Sequence, residues 1–159
     1  MTPAVAMMLL GLFGLGAPAD RQIHVERLRV DGWTVKIASD RFDGRVACRA
    51  VRGELSATPG LVTVRLAPST DTTDALYALD RQPARPWKAN LTELAAAGAT
   101  LDTGNLENPS NGIVMLPSAR LGDAQLLSIR PAPGARTRTF ELRGLAAVLD
   151  LMARRRCGR

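Results

Sequence analysis

The sequence predicts an α+β domain, mainly antiparallel β in a sandwich or roll, with one short internal helix and a C-terminal amphipathic helix. Polar and apolar residues alternate in several short segments, and turn residues separate those segments. Near the C-terminus, apolar residues instead recur at helical spacing. The chain has 159 residues, of which 46% are hydrophobic and 23% charged, so it can form one globular core.

The first 19 residues differ in composition from the rest of the chain. They carry no charged side chain, and their apolar run is followed by Ala17-Pro18-Ala19, an A-x-A cleavage pattern. We therefore expect a signal peptide over residues 1–19 and a single exported globular domain, periplasmic or secreted, over residues 20–159. After cleavage no stable membrane insertion is expected. The alternative is an envelope protein that an uncleaved N-terminal segment tethers to the inner membrane, although a membrane span needs about 20 apolar residues.

Alternating residues predict most of the strands. Trp33, Val35 and Ile37 show the alternation most clearly. Asp43-Gly44 is a turn sequence, and the strand after it carries Cys48. Hairpins are the simplest connections between such short strands. Besides the strand through Cys48, strands are predicted over residues 23–30, 32–39, 60–67, 74–80, 111–116, 123–130 and 138–143.

Two segments are predicted to be helical. Asn90 is an N-cap residue, strong helix formers follow it, and Gly98 ends the pattern, which predicts about two turns. The preceding segment, residues 81–90, contains two prolines and is expected to be irregular. The second helix covers residues 144–156, with apolar residues on one face and three arginines in its last turn. We expect this helix to pack on a sheet.

The chain has two cysteines, Cys48 and Cys157. In an oxidising compartment such a pair forms a disulfide, whereas in the cytosol the two would be unrelated buried thiols. We predict the disulfide, which would hold the C-terminal helix in place. A zinc site would need further ligands, but His24 is the only histidine and no C-x-x-C spacing is present. No metal and no cofactor are therefore expected.

Leu101-Asp102-Thr103-Gly104 resembles the catalytic motif of retroviral-type aspartic peptidases. Those enzymes use two carboxylates that share a proton, so a chain with one such motif would act as a dimer with Asp102 as its catalytic residue. Too little chain follows Gly104 for the half-barrel of that family, and the segment is rich in turn residues. We therefore expect a surface loop and no enzymatic activity, with the dimeric peptidase as the alternative.

Other polar residues are expected to be structural. His24 falls in an alternating pattern near the start of the exported domain and is predicted to face solvent or lie at a sheet edge. The pairs Asp40/Asp43 and Asp71/Asp74 stand beside turns, and a calcium loop would need more oxygen ligands.

The net charge of +6 is the feature that suggests a partner. Nearly all the positive residues are arginines, which suit phosphate and carboxylate groups. Binding of an anionic envelope component, such as lipopolysaccharide, phospholipid head groups or cell-wall polymer, is one interpretation. The other is charge that serves solubility, combined with the arginine bias of a GC-rich genome. Nucleic acid is not expected, because aromatic residues make up only 4% of the chain. The candidate anion-binding residues are the terminal cluster Arg154, Arg155, Arg156 and Arg159.

A family resemblance can be read from three features together: the GWTV strand, the strand with a cysteine, and the closing segment FELRGLAAVLD, residues 140–150. In that order after a signal peptide, they resemble small exported proteobacterial proteins of the invasion-associated locus B type. Leu145 stands where that family usually has an aromatic residue, and the family's additional cysteines are missing. The resemblance implies a β-rich, non-enzymatic accessory or binding domain, periplasmic or secreted, of unknown ligand, and transfers no catalytic residue.

Overall fold

The computed structural model describes residues 23–98 and 112–158, in which ten strands form two antiparallel sheets. In chain order the strands are β1 Ile23–Val30, β2 Trp33–Asp40, β3 Val46–Arg52, β4 Leu55–Thr58, β5 Leu61–Arg65, β6 Leu76–Leu79, β7 Arg85–Pro86, β8 Ile113–Pro117, β9 Leu126–Arg130 and β10 Arg138–Glu141. The larger sheet has the order β1-β2-β3-β4-β5-β8, and the smaller sheet has the order β10-β9-β6-β7. The predicted fold class, mainly antiparallel β with an internal and a C-terminal helix, is confirmed.

The turn between β1 and β2 fixes how these strands pair. It consists of Asp31 and Gly32, which both have positive φ, 46° and 86°. Two such residues form the tight hairpin turn whose twist matches that of the flanking strands. Val30 therefore lies opposite Trp33, and every pair further along the hairpin follows from that one.

Burial alternates along the strands as the sequence predicts. Trp33 and Val35 are fully buried, whereas Thr34 and Lys36 between and after them are exposed. The smaller sheet contributes Tyr77, among others, to the same hydrophobic cluster. One face of the larger sheet thus forms the core, and the other face of β1, β2 and β3 is exposed to solvent.

Both predicted helices are present, as α1 Leu91–Ala96 and α2 Leu145–Arg154. Asn90 occupies the N-cap position of α1, but its side chain forms no capping hydrogen bond. Instead its Nδ2 donates to the Trp87 carbonyl oxygen over 3.2 Å and to the Tyr77 hydroxyl over 3.2 Å. Asn90 is buried, and its side-chain amide forms hydrogen bonds with these partners. The amide therefore does not cap α1, although the local sequence pattern predicts that it would.

The structure differs from the sequence prediction in several details, mostly at the bounds of elements. Residues 81–90 are not irregular throughout, because they include β7 and a 3-10 helix, Trp87–Asn90. Strand β4 is short and follows β3 after a two-residue turn, so no separate pattern marks it. The strand predicted over residues 123–130 begins only at Leu126, because the Asp80 carboxylate accepts the Gln125 and Leu126 amides at its start.

The predicted signal peptide, residues 1–19, and the predicted loop that contains Asp102 lie outside the described residues. No helix in the described ranges is long and apolar enough to cross a membrane.

Candidate functional site

The predicted disulfide between Cys48 and Cys157 is present, with Cα atoms 5.5 Å apart. Cys48 lies on the buried face of β3, and Cys157 is the third residue after the end of α2. The Gly158 amide also donates to the Val46 carbonyl oxygen over 2.8 Å. A covalent bond and a hydrogen bond thus attach residues 157 and 158 to β3. The role of the two cysteines is therefore structural.

The terminal arginine cluster is partly neutralised by neighbouring carboxylates. Arg154 lies 2.5 Å from an Asp150 carboxylate oxygen, and Arg155 lies 3.2 Å from a Glu26 carboxylate oxygen. Arg156 forms no ion pair with a described carboxylate, and Arg159 lies outside the described residues. Two of the three described arginines of the cluster are therefore ion-paired, and only Arg156 among these three is left without a described carboxylate.

Three of the four aspartates predicted beside turns form turn hydrogen bonds, whereas Asp74 lies 3.9 Å from Lys88. The carboxylates of Asp40, Asp43 and Asp71 each accept the amide of the residue two positions later, over 2.8 to 2.9 Å. This hydrogen bond lowers the pKa of Asp71. Within residues 23–98 and 112–158, no three histidine, cysteine, aspartate or glutamate side chains are grouped to hold a metal ion. His24 is exposed on β1, the edge strand of the larger sheet.

Two cavities bounded by described residues are small. One of about 140 Å³ lies beside Tyr77, Arg85 and Arg120, and one of about 260 Å³ lies between the β3–β4 turn and β10. Pockets for small-molecule ligands are usually about 300 to 1,000 Å³. Neither cavity therefore has the usual volume of a small-molecule site.

Most of the charged groups around these cavities are already paired, although Arg85 forms no ion pair with a described carboxylate. Arg52 lies 3.0 Å from Glu141, and Arg138 lies 2.7 Å from Glu54. The hydrogen bond from Arg138 lowers the pKa of Glu54. Arg120 holds Glu93 through two nitrogens, and these hydrogen bonds lower the pKa of Glu93. These arginines are engaged by carboxylates of the chain itself, so they offer an external anion little uncompensated charge.

A different group of cations remains free on the exposed face of the larger sheet. Arg27 of β1 lies directly opposite Lys36 of β2, and Lys36 lies directly opposite Arg49 of β3. We call these three residues the basic row. All three are exposed, and none forms an ion pair with a described carboxylate.

Pairing across the strands brings the basic row together. Directly opposed residues in antiparallel strands have Cβ atoms about 5 Å apart, so three like charges lie across about 10 Å of the sheet. Such pairs repel each other and destabilise a sheet. Arg29, two residues after Arg27, is exposed on the same face and adds a fourth positive charge. The arrangement concentrates positive potential that an external anion would relieve.

Sequence reasoning missed the basic row because its members come from three different strands and meet only through the strand register. The pairing of Arg27 with Lys36 could have been derived from the two-residue Asp31-Gly32 turn. The pairing of Lys36 with Arg49 depends on a five-residue connection between β2 and β3, which several registers would fit.

Comparison of the chain with protein-family models, with curated proteins and with solved structures found no match.

Proposed function

We propose that this chain is a non-enzymatic exported domain, periplasmic or secreted, that binds an anionic component of the cell envelope through the basic row. The observation that carries the proposal is the direct juxtaposition of Arg27, Lys36 and Arg49 with no carboxylate partner among the described residues. Seven other described cations are paired with carboxylates and several more are unpaired, but among the described strand pairs a cation lies directly opposite another cation only in the basic row.

Two further features support export. A disulfide across a sequence separation of 109 residues is typical of proteins that fold in an oxidising compartment. The uncharged N-terminal segment with its A-x-A pattern is typical of a cleaved signal peptide. Residues 140–150 also resemble the closing segment of proteins of the invasion-associated locus B type, which are exported. This support comes from the sequence pattern alone.

Binding to immobilised heparin, a soluble polyanion, tests the electrostatic part. The triple variant Arg27→Gln/Lys36→Gln/Arg49→Gln should elute at a clearly lower salt concentration than the wild type, because salt screens exposed charges. The matched control Arg81→Gln/Arg130→Gln/Arg136→Gln removes the same charge from exposed arginines that form no described ion pair. Equal elution of the two triple variants would show that net charge alone determines retention and would overturn the proposal.

A third variant, Arg154→Gln/Arg155→Gln/Arg156→Gln, compares the terminal cluster with the basic row. Since two of its arginines already contact carboxylates, we expect it to shift elution less than the basic-row variant. A larger shift would assign the binding to the C-terminus instead.

Export is tested by the intact mass of the protein recovered from the periplasm or medium, with and without reductant and alkylation. Cleavage after Ala19 and an intact Cys48–Cys157 bond are expected. A mass that retains residues 1–19 would favour the tethered alternative.

A further inference from the structure

We infer that the anionic partner is a lipid bilayer surface, on which the basic row binds head groups while neighbouring apolar side chains enter the interface. The inference rests on the proposed function and names its partner. It starts from what lies beside the basic row on the same face of the larger sheet.

The next row towards the β2–β3 connection is apolar. Val25 lies opposite Ala38, and Ala38 lies opposite Ala47, so these three form an apolar row across the same three strands. Residues two apart on a strand are separated by about 7 Å, so the apolar row lies about 7 Å from the basic row. Val25 is 44% exposed although it is a large apolar residue.

Two further apolar residues extend this end of the sheet. Ile23, two residues before Val25 on the same face, is 53% exposed. Phe42, in the connection between β2 and β3, is 97% exposed. A phenylalanine so fully exposed contributes almost nothing to folding through burial, and exposed apolar groups beside polar ones mark interaction surfaces.

Acidic groups at this end are few and engaged. Asp40 lies opposite Ile23 on the exposed face, and its carboxylate accepts the Phe42 amide over 2.8 Å. Asp43 lies 3.3 Å from Arg45. The connection therefore adds no free cluster of negative charge that would oppose an anionic surface.

Apolar residues next to the cations favour a bilayer over a soluble polyanion. A polysaccharide or polyphosphate chain offers charge but no apolar phase for Phe42, Ile23 and Val25. An anionic bilayer offers both, with phosphate groups at its surface and acyl chains beneath. The exposed face of β1, β2 and β3 also presents these side chains outward instead of enclosing a ligand, which suits contact with an extended surface.

The test compares vesicles of phosphatidylcholine with and without phosphatidylglycerol in a sedimentation assay, with immobilised heparin in parallel. We expect the wild type to bind the phosphatidylglycerol vesicles and to be released as salt rises. Each cation near the surface is worth about 1 kcal/mol, or roughly fivefold in affinity, so the basic-row triple variant should lose roughly 100-fold at low salt.

The Phe42→Ser variant separates a bilayer from a soluble polyanion. It should weaken vesicle binding by roughly fivefold or more and leave heparin elution unchanged, because only the bilayer has an apolar phase. The matched control is Leu126→Ser, which removes an apolar side chain that is 42% exposed on the smaller sheet and should leave vesicle binding unchanged.

Phe42→Trp gives a direct readout of insertion. The native tryptophans Trp33 and Trp87 are 0% and 3% exposed, so quenching by brominated acyl chains would report on the introduced indole. We expect strong quenching with phosphatidylglycerol vesicles and none with phosphatidylcholine alone.

The outcomes separate this inference from the proposed function. Equal vesicle binding by the wild type and Phe42→Ser, or heparin binding without vesicle binding, would overturn the bilayer as partner and leave an anionic polymer. Loss of discrimination between the basic-row variant and its charge-matched control on both probes would overturn the proposed function itself.

Discussion

The indole Nε1 of Trp33 donates a hydrogen bond of 2.9 Å to the backbone carbonyl oxygen of Arg143. Nη1 of Arg52 donates to the same oxygen over 2.7 Å. Residues of β2 and β3 thus hold Arg143, two residues before α2 begins, and the disulfide holds Cys157, three residues after α2 ends. The C-terminal helix is fixed to the larger sheet at both ends.

Trp33→Phe should lower the free energy of unfolding by about 1 to 3 kcal/mol. The variant loses one hydrogen bond and leaves unfilled volume at a fully buried position. Urea unfolding followed by circular dichroism would measure the change. An unchanged midpoint would mean that the Arg52 contact alone holds the Arg143 carbonyl.

Gly144→Ala should destabilise the protein more than Gly134→Ala. Both glycines have positive φ, 82° and 77°, which a side chain rarely adopts. At Gly144 an added Cβ would also lie 2.4 Å from the Asp31 Cβ, whereas at Gly134 nothing lies within 4 Å. We expect about 1 kcal/mol at Gly134 and several at Gly144, measured as urea midpoints. Equal costs would show that the β1–β2 turn yields without strain.

Cys48→Ala/Cys157→Ala should lower stability by about 2 to 5 kcal/mol, because the bond closes a loop of more than 100 residues. Unfolding with and without reductant would measure it. Reductant should destabilise the wild type by a comparable amount and leave the double variant unchanged. Insensitivity of the wild type to reductant would contradict the structural role of the bond.

Glu93 should contribute a pH-dependent part of the stability. Its hydrogen bonds from Arg120 lower its pKa in the folded state, so its contribution is present above the ordinary glutamate value of about 4.3 and is lost as the pH falls through the lowered value. The difference in unfolding free energy between the wild type and Glu93→Gln should therefore shrink in acid. The difference in unfolding free energy between the wild type and Arg120→Gln should shrink in acid in the same way. If either difference stays constant with pH, the Glu93–Arg120 hydrogen bonds are not the source of the pH dependence.

Lys36→Gln should raise the free energy of unfolding by a few tenths to about 1 kcal/mol. Lys36 is the middle cation of the basic row, so its neutralisation relieves two cross-strand repulsions. The control is Arg65→Gln, at an exposed position of β5 opposite Ile113, where no change is expected. A loss of stability in Lys36→Gln would show that the lysine stem packs on the sheet more strongly than its charge repels.

Local periodicity explains how far the sequence alone predicts the fold. Strand β1 has the predicted bounds, and α2 lies within the predicted segment, because alternation and helical spacing are properties of neighbouring residues. Two cysteines allow one pairing, so the disulfide followed once export was assumed. Strand β4 was missed because it is short and follows β3 after a two-residue turn, and the 3-10 helix before α1 was missed because contacts such as that of Asn90 with Tyr77 lie outside the local pattern.

The sequence by itself determined the fold class, the disulfide pair and the excess of positive charge. Only the tertiary structure decided which charges are free. Arg154 and Arg155 meet carboxylates from α2 and β1, whereas Arg27, Lys36 and Arg49 meet one another. The physical reason is that charge belongs to each residue, whereas the partner of each charge depends on which residues strand register and the packing of α2 against the sheet place side by side.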